Sequence, residues 1–190
     1  MLPNQTATTP EVSREQVLAG MEQAAAMLSR FLDAGRRFRM DFNSDRERAG
    51  TEPGEEDLTG VCLHVSGAFS GSILLLASVE NACRLAGLLL RRPAPADPED
   101  EALRSTLREV GNIFASGVLG GLEDGLKLRA LPSPPTFLFG TRQQVLEQCR
   151  QCCDRPVGLQ IDAGLNCDSS DGIPIRGEVL FRLAAGFGPA

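Results

Sequence analysis

Residues 97–125 read Asp97-Pro98-Glu99-Asp100 followed by EALRSTLREVGNIFASGVLGGLEDG (101–125), and the reading of the whole chain turns on this stretch. A carboxylate cap and acids at the positive end of the helix dipole open a helix that runs to about Gly125. At about 100° per residue, Leu103, Leu107, Val110, Phe114 and Val118 fall on one stripe, the core face. Ser105, Glu109, Asn112 and Ser116 fall on the opposite side with i, i+4, i+7, i+11 spacing, so one polar line points to solvent. Ile113, Leu119 and Gly120 border that line with apolar and small side chains. A solvated helix face is the simplest meaning. Against it, Asn is a mediocre interior helix residue because its side chain competes for the backbone. The face also carries Gly111, Gly117 and Gly120, each costing about 1 kcal/mol against Ala in a helix interior. Small residues kept at that cost are read as room for a closely approaching partner.

Working outward, Thr9-Pro10-Glu11 has the hydroxyl cap, first-turn proline and acid of a helix start. Val17, Met21, Ala24, Leu28 and Phe31 continue it as an amphipathic helix to about Gly35. FRMDF (38–42) reads as a strand, and NSDRERAGTEPGEEDL (43–58) as a charged loop. GVCLHVSG (60–67) and FSGSILLLAS (69–78) read as a hairpin, and Val79 to Arg91 as a helix followed by the connector RRPAPADPED (91–100). LPSPP (131–135) ends the central region, FLFG (137–140) is a short strand, and Thr141 with Gln144 forms a capping box for a helix to about Cys153. PVGLQIDAGLNC (156–167) and IPIRGEVLFRLA (173–184) close the chain as strands joined by DSSDG (168–172). SGSILLLA (70–77) is echoed by RGEVLFRLA (176–184) with one extra residue, and each half opens with a long helix. The echo points to a duplicated helix-and-strands unit in a single domain over 1–190, with halves at about 10–92 and 97–185.

Composition excludes several function classes. With 190 residues and 42% apolar side chains the chain can bury a core. A formal net charge of -6 opposes nucleic-acid binding, which is driven by Lys and Arg neutralising phosphates. Aromatics are 5%, without Trp or Tyr, so stacking platforms for single strands are lacking. The most apolar stretch is interrupted by Glu80, Asn81 and Arg84, short of the roughly 20 apolar residues a membrane span needs. MLPNQTATTPEV (1–12) lacks the charged and apolar regions of a signal peptide. A cytoplasmic protein with no membrane contact is expected, its six Cys being thiols.

Ser105-x3-Glu109-x2-Asn112-x22-Pro135 resembles the signature of the CheC/CheX/FliY chemotaxis phosphatases: Asp or Ser, then Glu, Asn and a distant Pro at that spacing. LREVGNIFASGVLGGL (107–122) and LPSPP resemble that family's second active helix and following loop. The resemblance extends loosely to the strand pairs carrying Gly71 and Gly177. It implies an α+β fold: duplicated α-β(3) units forming an antiparallel six-stranded sheet with long helices packed on it. It also implies an enzyme, an aspartyl-phosphate phosphatase whose helix docks into a phosphorylated CheY-like response regulator. Asn112, both donor and acceptor, would orient a water in line with the acyl phosphate, and Glu109 would pair with the regulator's active-site Lys. Ser105, Ser116 and Ile113 would line the contact. The Mg²⁺ would belong to the regulator, so the chain needs no metal or other cofactor of its own. A CheD-type deamidase, partner of some CheC proteins, and a second copy of the chain complete the candidate partners.

Some CheC proteins carry two such helices. Here the first helix presents Ala19, Gln23, Ala26 and Arg30 opposite its core stripe, with no Glu-x2-Asn, leaving one motif as in CheX-like members. The rival reading is a non-catalytic module of the same fold, an adaptor or flagellar-switch-like piece. Cys149, Cys152 and Cys153 include a C-x2-C, open to zinc or redox chemistry. A zinc site wants a second ligand pair, whereas the only His is His64 and the other Cys are scattered. Buried thiols acting as small apolar residues, with neither zinc nor disulfide, are the simpler expectation.

Overall fold

Ser13 opens the first helix, α1 (Arg14–Ser29), through a capping box. Its Oγ accepts from the Gln16 N–H at 3.2 Å, while Gln16 Oε1 accepts from the Ser13 N–H at 2.9 Å. The computed structural model describes residues 12–32, 36–42, 57–95, 97–127, 129–151, 156–168 and 172–185. The Thr9-Pro10-Glu11 start therefore lies outside the described residues, and the cap that the structure shows is Ser13. The helix also stops short of Gly35. Ser29 Oγ donates to the Ala25 carbonyl and accepts from the Phe38 N–H, tying the last turn to the next strand. Val17, Met21, Ala24 and Leu28 are buried as the stripe requires, but Phe31 falls beyond the helix end and is 55% exposed.

The remaining elements follow in the anticipated order, with one strand added at residues 130–132, where LPSPP reads as the end of the central region. They are β1 (Phe38–Asp41), β2 (Leu58–Gly67), β3 (Gly71–Ser78), α2 (Val79–Leu90), α3 (Glu101–Leu126), β4 (Ala130–Pro132), β5 (Thr136–Gly140), α4 (Arg142–Gln151), β6 (Val157–Cys167) and β7 (Ile175–Ala184). Of the charged loop expected over 43–58, residues 43–56 lie outside the described residues. Thr141 and Gln144 make the reciprocal bonds of the expected capping box at the start of α4.

Every strand pairing is antiparallel, in the order β1-β6-β7-β3-β2-β4, with β5 also on β2. β4 and β5 share one edge of β2. Residues 136–140 pair with 58–62 and residues 130–132 with 65–67, and Ser133-Pro134-Pro135 interrupts the run. Among the described residues seven strands thus fill the six expected positions, because proline cannot donate to the ladder. The order is symmetric about the central β3–β7 pair, and those two strands carry the sequence echo, Gly71 lying opposite Leu183. The first strand of each half pairs with the second strand of the other, β1 with β6 and β4/β5 with β2.

Side chains alternate across the sheet, and each face has its own apolar cluster. Val61, Leu63 and Val65 of β2 join α1, α2 and α3 in the main core, while Cys62 joins α4 in the smaller one. α3 lies so close to its neighbours that two of its glycines are structural. A Cβ on Gly111 would come 2.7 Å from Val61 Cγ2, and one on Gly117 would come 2.6 Å from Ala24 Cα. From the α1 side, a Cβ on Gly20 would meet the Val118 carbonyl oxygen at 2.9 Å. This corrects the reading of the glycines as room for a partner: Gly111 and Gly117 make room for the protein's own sheet and α1. Only Gly120 of the three faces open space.

The sign of substitution follows. Gly120→Ala should stabilise by about 0.5–1 kcal/mol through helix propensity alone. Gly117→Ala gains the same propensity but drives a methyl into the α1 backbone. Overpacking of this kind costs about 1–3 kcal/mol, so the net should be a loss of about 1–2 kcal/mol. Urea unfolding of the two variants checks the opposite signs.

Candidate functional site

The site begins at the cap of α3. Asp100 Oδ1 accepts from the backbone N–H groups of Ala102 (2.7 Å) and Leu103 (3.3 Å), ending the connector and starting the helix. The rotational phase is then set by burial: Leu103, Leu107, Val110, Phe114 and Val118 all lie in the core. Ser105, Glu109, Asn112 and Ser116 are consequently exposed along one line, as the wheel requires, with Ile113 half-buried beside them. Leu119, expected at the border of the line, is instead buried in the core.

The charges of α3 are sorted along its length. Arg104 pairs with Glu99 at 3.2 Å and Arg108 with Glu101 at 3.3 Å. Glu109 and Asn112 take no hydrogen-bond or ion-pair partner among the described residues. A carboxylate and a carboxamide therefore stand one turn apart on a 26-residue helix whose opposite face is anchored in the core. Ser105 folds back on the helix, its Oγ donating to the Ala102 carbonyl at 3.3 Å. Such a pair can engage a cation and, through the amide's donors and acceptor, a water or an oxyanion.

Periodicity did not reveal a groove beside this line. The C-terminal ends of α1 and α2 meet α3 around an open volume of about 550 Å³, walled by Phe31 and Leu90, rimmed by Arg30 and Arg91, and shared with Ser105 and Glu109. Arg91 caps α2 in the left-handed conformation, φ 52°, which turns the chain away and leaves the end of α2 facing the groove. Two helix ends and the flank of a third helix build the feature, so no single stretch of sequence displays it. The one available signal was Phe31, a large apolar residue just beyond the last turn.

Pro135 does not line the groove. It sits in the 133–135 interruption, where Ser133 is fastened to His64 by bonds of 2.7 and 2.9 Å. On α1, Ala19, Gln23, Ala26 and Arg30 are exposed, and they include no acid–amide pair. Cys149 is buried; Cys152 and Cys153 lie outside the described residues. Among the described residues no three His, Cys, Asp or Glu side chains converge as metal ligands, and no helix is long and apolar enough to cross a membrane.

No protein-family model matches the chain. A candidate CheY-P phosphatase, CheC1 of Halobacterium salinarum, is 26% identical over 128 residues; the match spans 67% of this chain and 66% of that protein. Two solved structures share the fold. One is a chain of the CheX–CheY–BeF3–Mg²⁺ complex from Borrelia burgdorferi, with TM-score 0.59 and 19% identity, covering 90% of this chain and 96% of that one. The other is FliY of Thermotoga maritima, with TM-score 0.62, 15% identity and 94% of each chain covered. The chain is thus similar in sequence to a CheC protein and shares its fold with CheX and FliY, in line with the resemblance to the CheC/CheX/FliY family.

Proposed function

We propose that the chain dephosphorylates the phospho-aspartate of a CheY-like response regulator in the cytoplasm. The observation that carries this reading is the exposed Glu109–Asn112 pair, without partners among the described residues, on the outer face of α3. Asn112 orients a water in line with the acyl phosphate, and Glu109 fixes the register of docking on a lysine of the regulator. Ser105, Ser116 and Ile113 line the contact. Phosphoryl transfer asks little covalent chemistry of the protein, so positioning is the main resource available to it. The Mg²⁺ is the regulator's, and the chain contributes neither metal nor organic cofactor. The CheX–CheY complex of a protein sharing this fold supports a regulator as the partner.

The FliY likeness and the bare outer face of α1 favour a second reading, a binding module that holds a regulator without hydrolysing its phosphate. One assay separates the two. A CheY-like regulator is phosphorylated with acetyl phosphate, freed of donor, and followed for inorganic phosphate with and without this chain. Accelerated release supports the phosphatase. Binding to the beryllofluoride-activated regulator with unchanged release supports the module.

A further inference from the structure

The sheet face turned away from α3 holds a feature that the phosphatase reading does not use. There Leu74, Leu76, Leu138, Val145 and Leu180 close over two buried cysteines, Cys62 of β2 and Cys149 of α4. Their sulfurs are 3.1 Å apart, near enough for one thiol to donate to the other, although the residues are 87 positions apart in the chain. Both are carried by ordered elements. β2 is paired on both sides, and α4 is fastened to β7 by a two-pronged contact from Arg142 to Glu178 at 2.9 and 2.7 Å.

The chemistry of the two sulfurs is matched. The hydrogen bond from Cys62 draws the Cys149 thiol down to about 7 against the upward pull of burial, helped by a hydrogen bond from Ser72 and the charges of Arg182 and Arg150. The buried cysteines elsewhere contrast with it. Burial and the nearby Asp100 and Asp97 push Cys83 up, and burial and Asp168 push Cys167 up to about 11. A thiolate is the nucleophile in sulfur oxidation, so of these thiols Cys149 is the one poised to react, with a second sulfur already against it.

We propose that Cys62 and Cys149 are a modification site, a dithiol that hydrogen peroxide closes to an intramolecular disulfide. The Cys149 thiolate attacks one peroxide oxygen. The S–O bond forms, the O–O bond breaks, and the leaving hydroxide takes a proton to become water. The Cys62 sulfur then displaces the hydroxyl of the sulfenic acid. The S–S bond forms, the S–O bond breaks, and a second water carries off the Cys62 proton. Two thiols lose two electrons, and the peroxide is reduced to two waters. A disulfide needs sulfurs about 2.0 Å apart, so the pair closes by a further approach of roughly 1 Å. The link staples α4 to β2 on the face remote from Glu109 and Asn112.

The test uses the full chain, purified under reductant, desalted and treated with hydrogen peroxide. It is then denatured, its free thiols are capped with N-ethylmaleimide, and it is digested without reductant for mass spectrometry. The expected result is a peptide pair joining Cys62 to Cys149, abolished by dithiothreitol, with intact mass lowered by two hydrogens. Cys149→Ala should leave Cys62 a free thiol under the same treatment. The wild-type map alone decides if that variant folds poorly. Cys62 and Cys149 both capped as thiols after peroxide, or Cys149 joined to Cys152, Cys153 or another copy of the chain, would overturn the proposal.

Discussion

Asn112→Ala should leave the fold intact and slow phosphate release from a phosphorylated CheY-like regulator by about 100-fold, the scale of loss when a positioning group is removed. Asn112 is exposed and without a partner among the described residues, so its truncation opens no cavity and strands no buried group. Surface changes of that kind alter stability by less than about 0.5 kcal/mol, and Ala is the better helix former. In the proposed complex the carboxamide would hold the attacking water near phosphorus, so the function lost would be one that exists only there. The regulator should therefore still bind, and the defect should fall on turnover rather than on affinity. Gln23→Ala, an exposed amide on the outer face of α1, is the matched control and should do nothing. Circular dichroism reports the fold, and phosphate release under saturating chain reports the chemistry. Full activity in Asn112→Ala would reject the water-positioning role and promote the binding module.

The candidate site was legible in the sequence because a single helix encodes it. Once Leu103, Leu107, Val110, Phe114 and Val118 define the buried stripe, the outward direction of Ser105, Glu109, Asn112 and Ser116 follows from geometry alone. The strand order could be anticipated only through the echo and the family resemblance, since register between β3 and β7 is a contact between residues far apart in the chain. What the wheel misassigned on α3 has one physical cause. A helical wheel distinguishes inside from outside but not which inside. Gly111 and Gly117 were attached to the outer face, yet they let α3 touch β2 and α1. Leu119 was placed at the border and lies in the core. Phe31 fits the α1 periodicity, but Ser29 diverts the chain by bonding both Ala25 and Phe38, a side-chain event that propensity does not register. The groove and the Cys62–Cys149 pair are tertiary in the same sense, each assembled from separate elements.

Glu109→Ala should fail differently from Asn112→Ala. In the proposed complex its carboxylate meets the regulator's lysine, a charge-assisted contact worth roughly 1.5–3 kcal/mol. Losing it should weaken binding of the beryllofluoride-activated regulator by roughly 10- to 150-fold. The rate at saturation should suffer much less. Arg104 and Arg108 are already paired with Glu99 and Glu101, so no nearby acid of that cluster stands free to replace Glu109. Glu109→Gln retains shape and a neutral acceptor, and should recover part of the affinity but none of its salt dependence. Screening sharpens the test. The Debye length falls from about 10 Å at 0.1 M salt to about 3 Å at 1 M, so the wild-type advantage should shrink as salt rises, while the Ala variant stays nearly flat. Titration of the fluorescently labelled regulator at several salt concentrations measures this directly. If Glu109→Ala bound like wild type and lost only turnover, the carboxylate would belong to the chemistry rather than to docking, and the roles of Glu109 and Asn112 would have to be redrawn together.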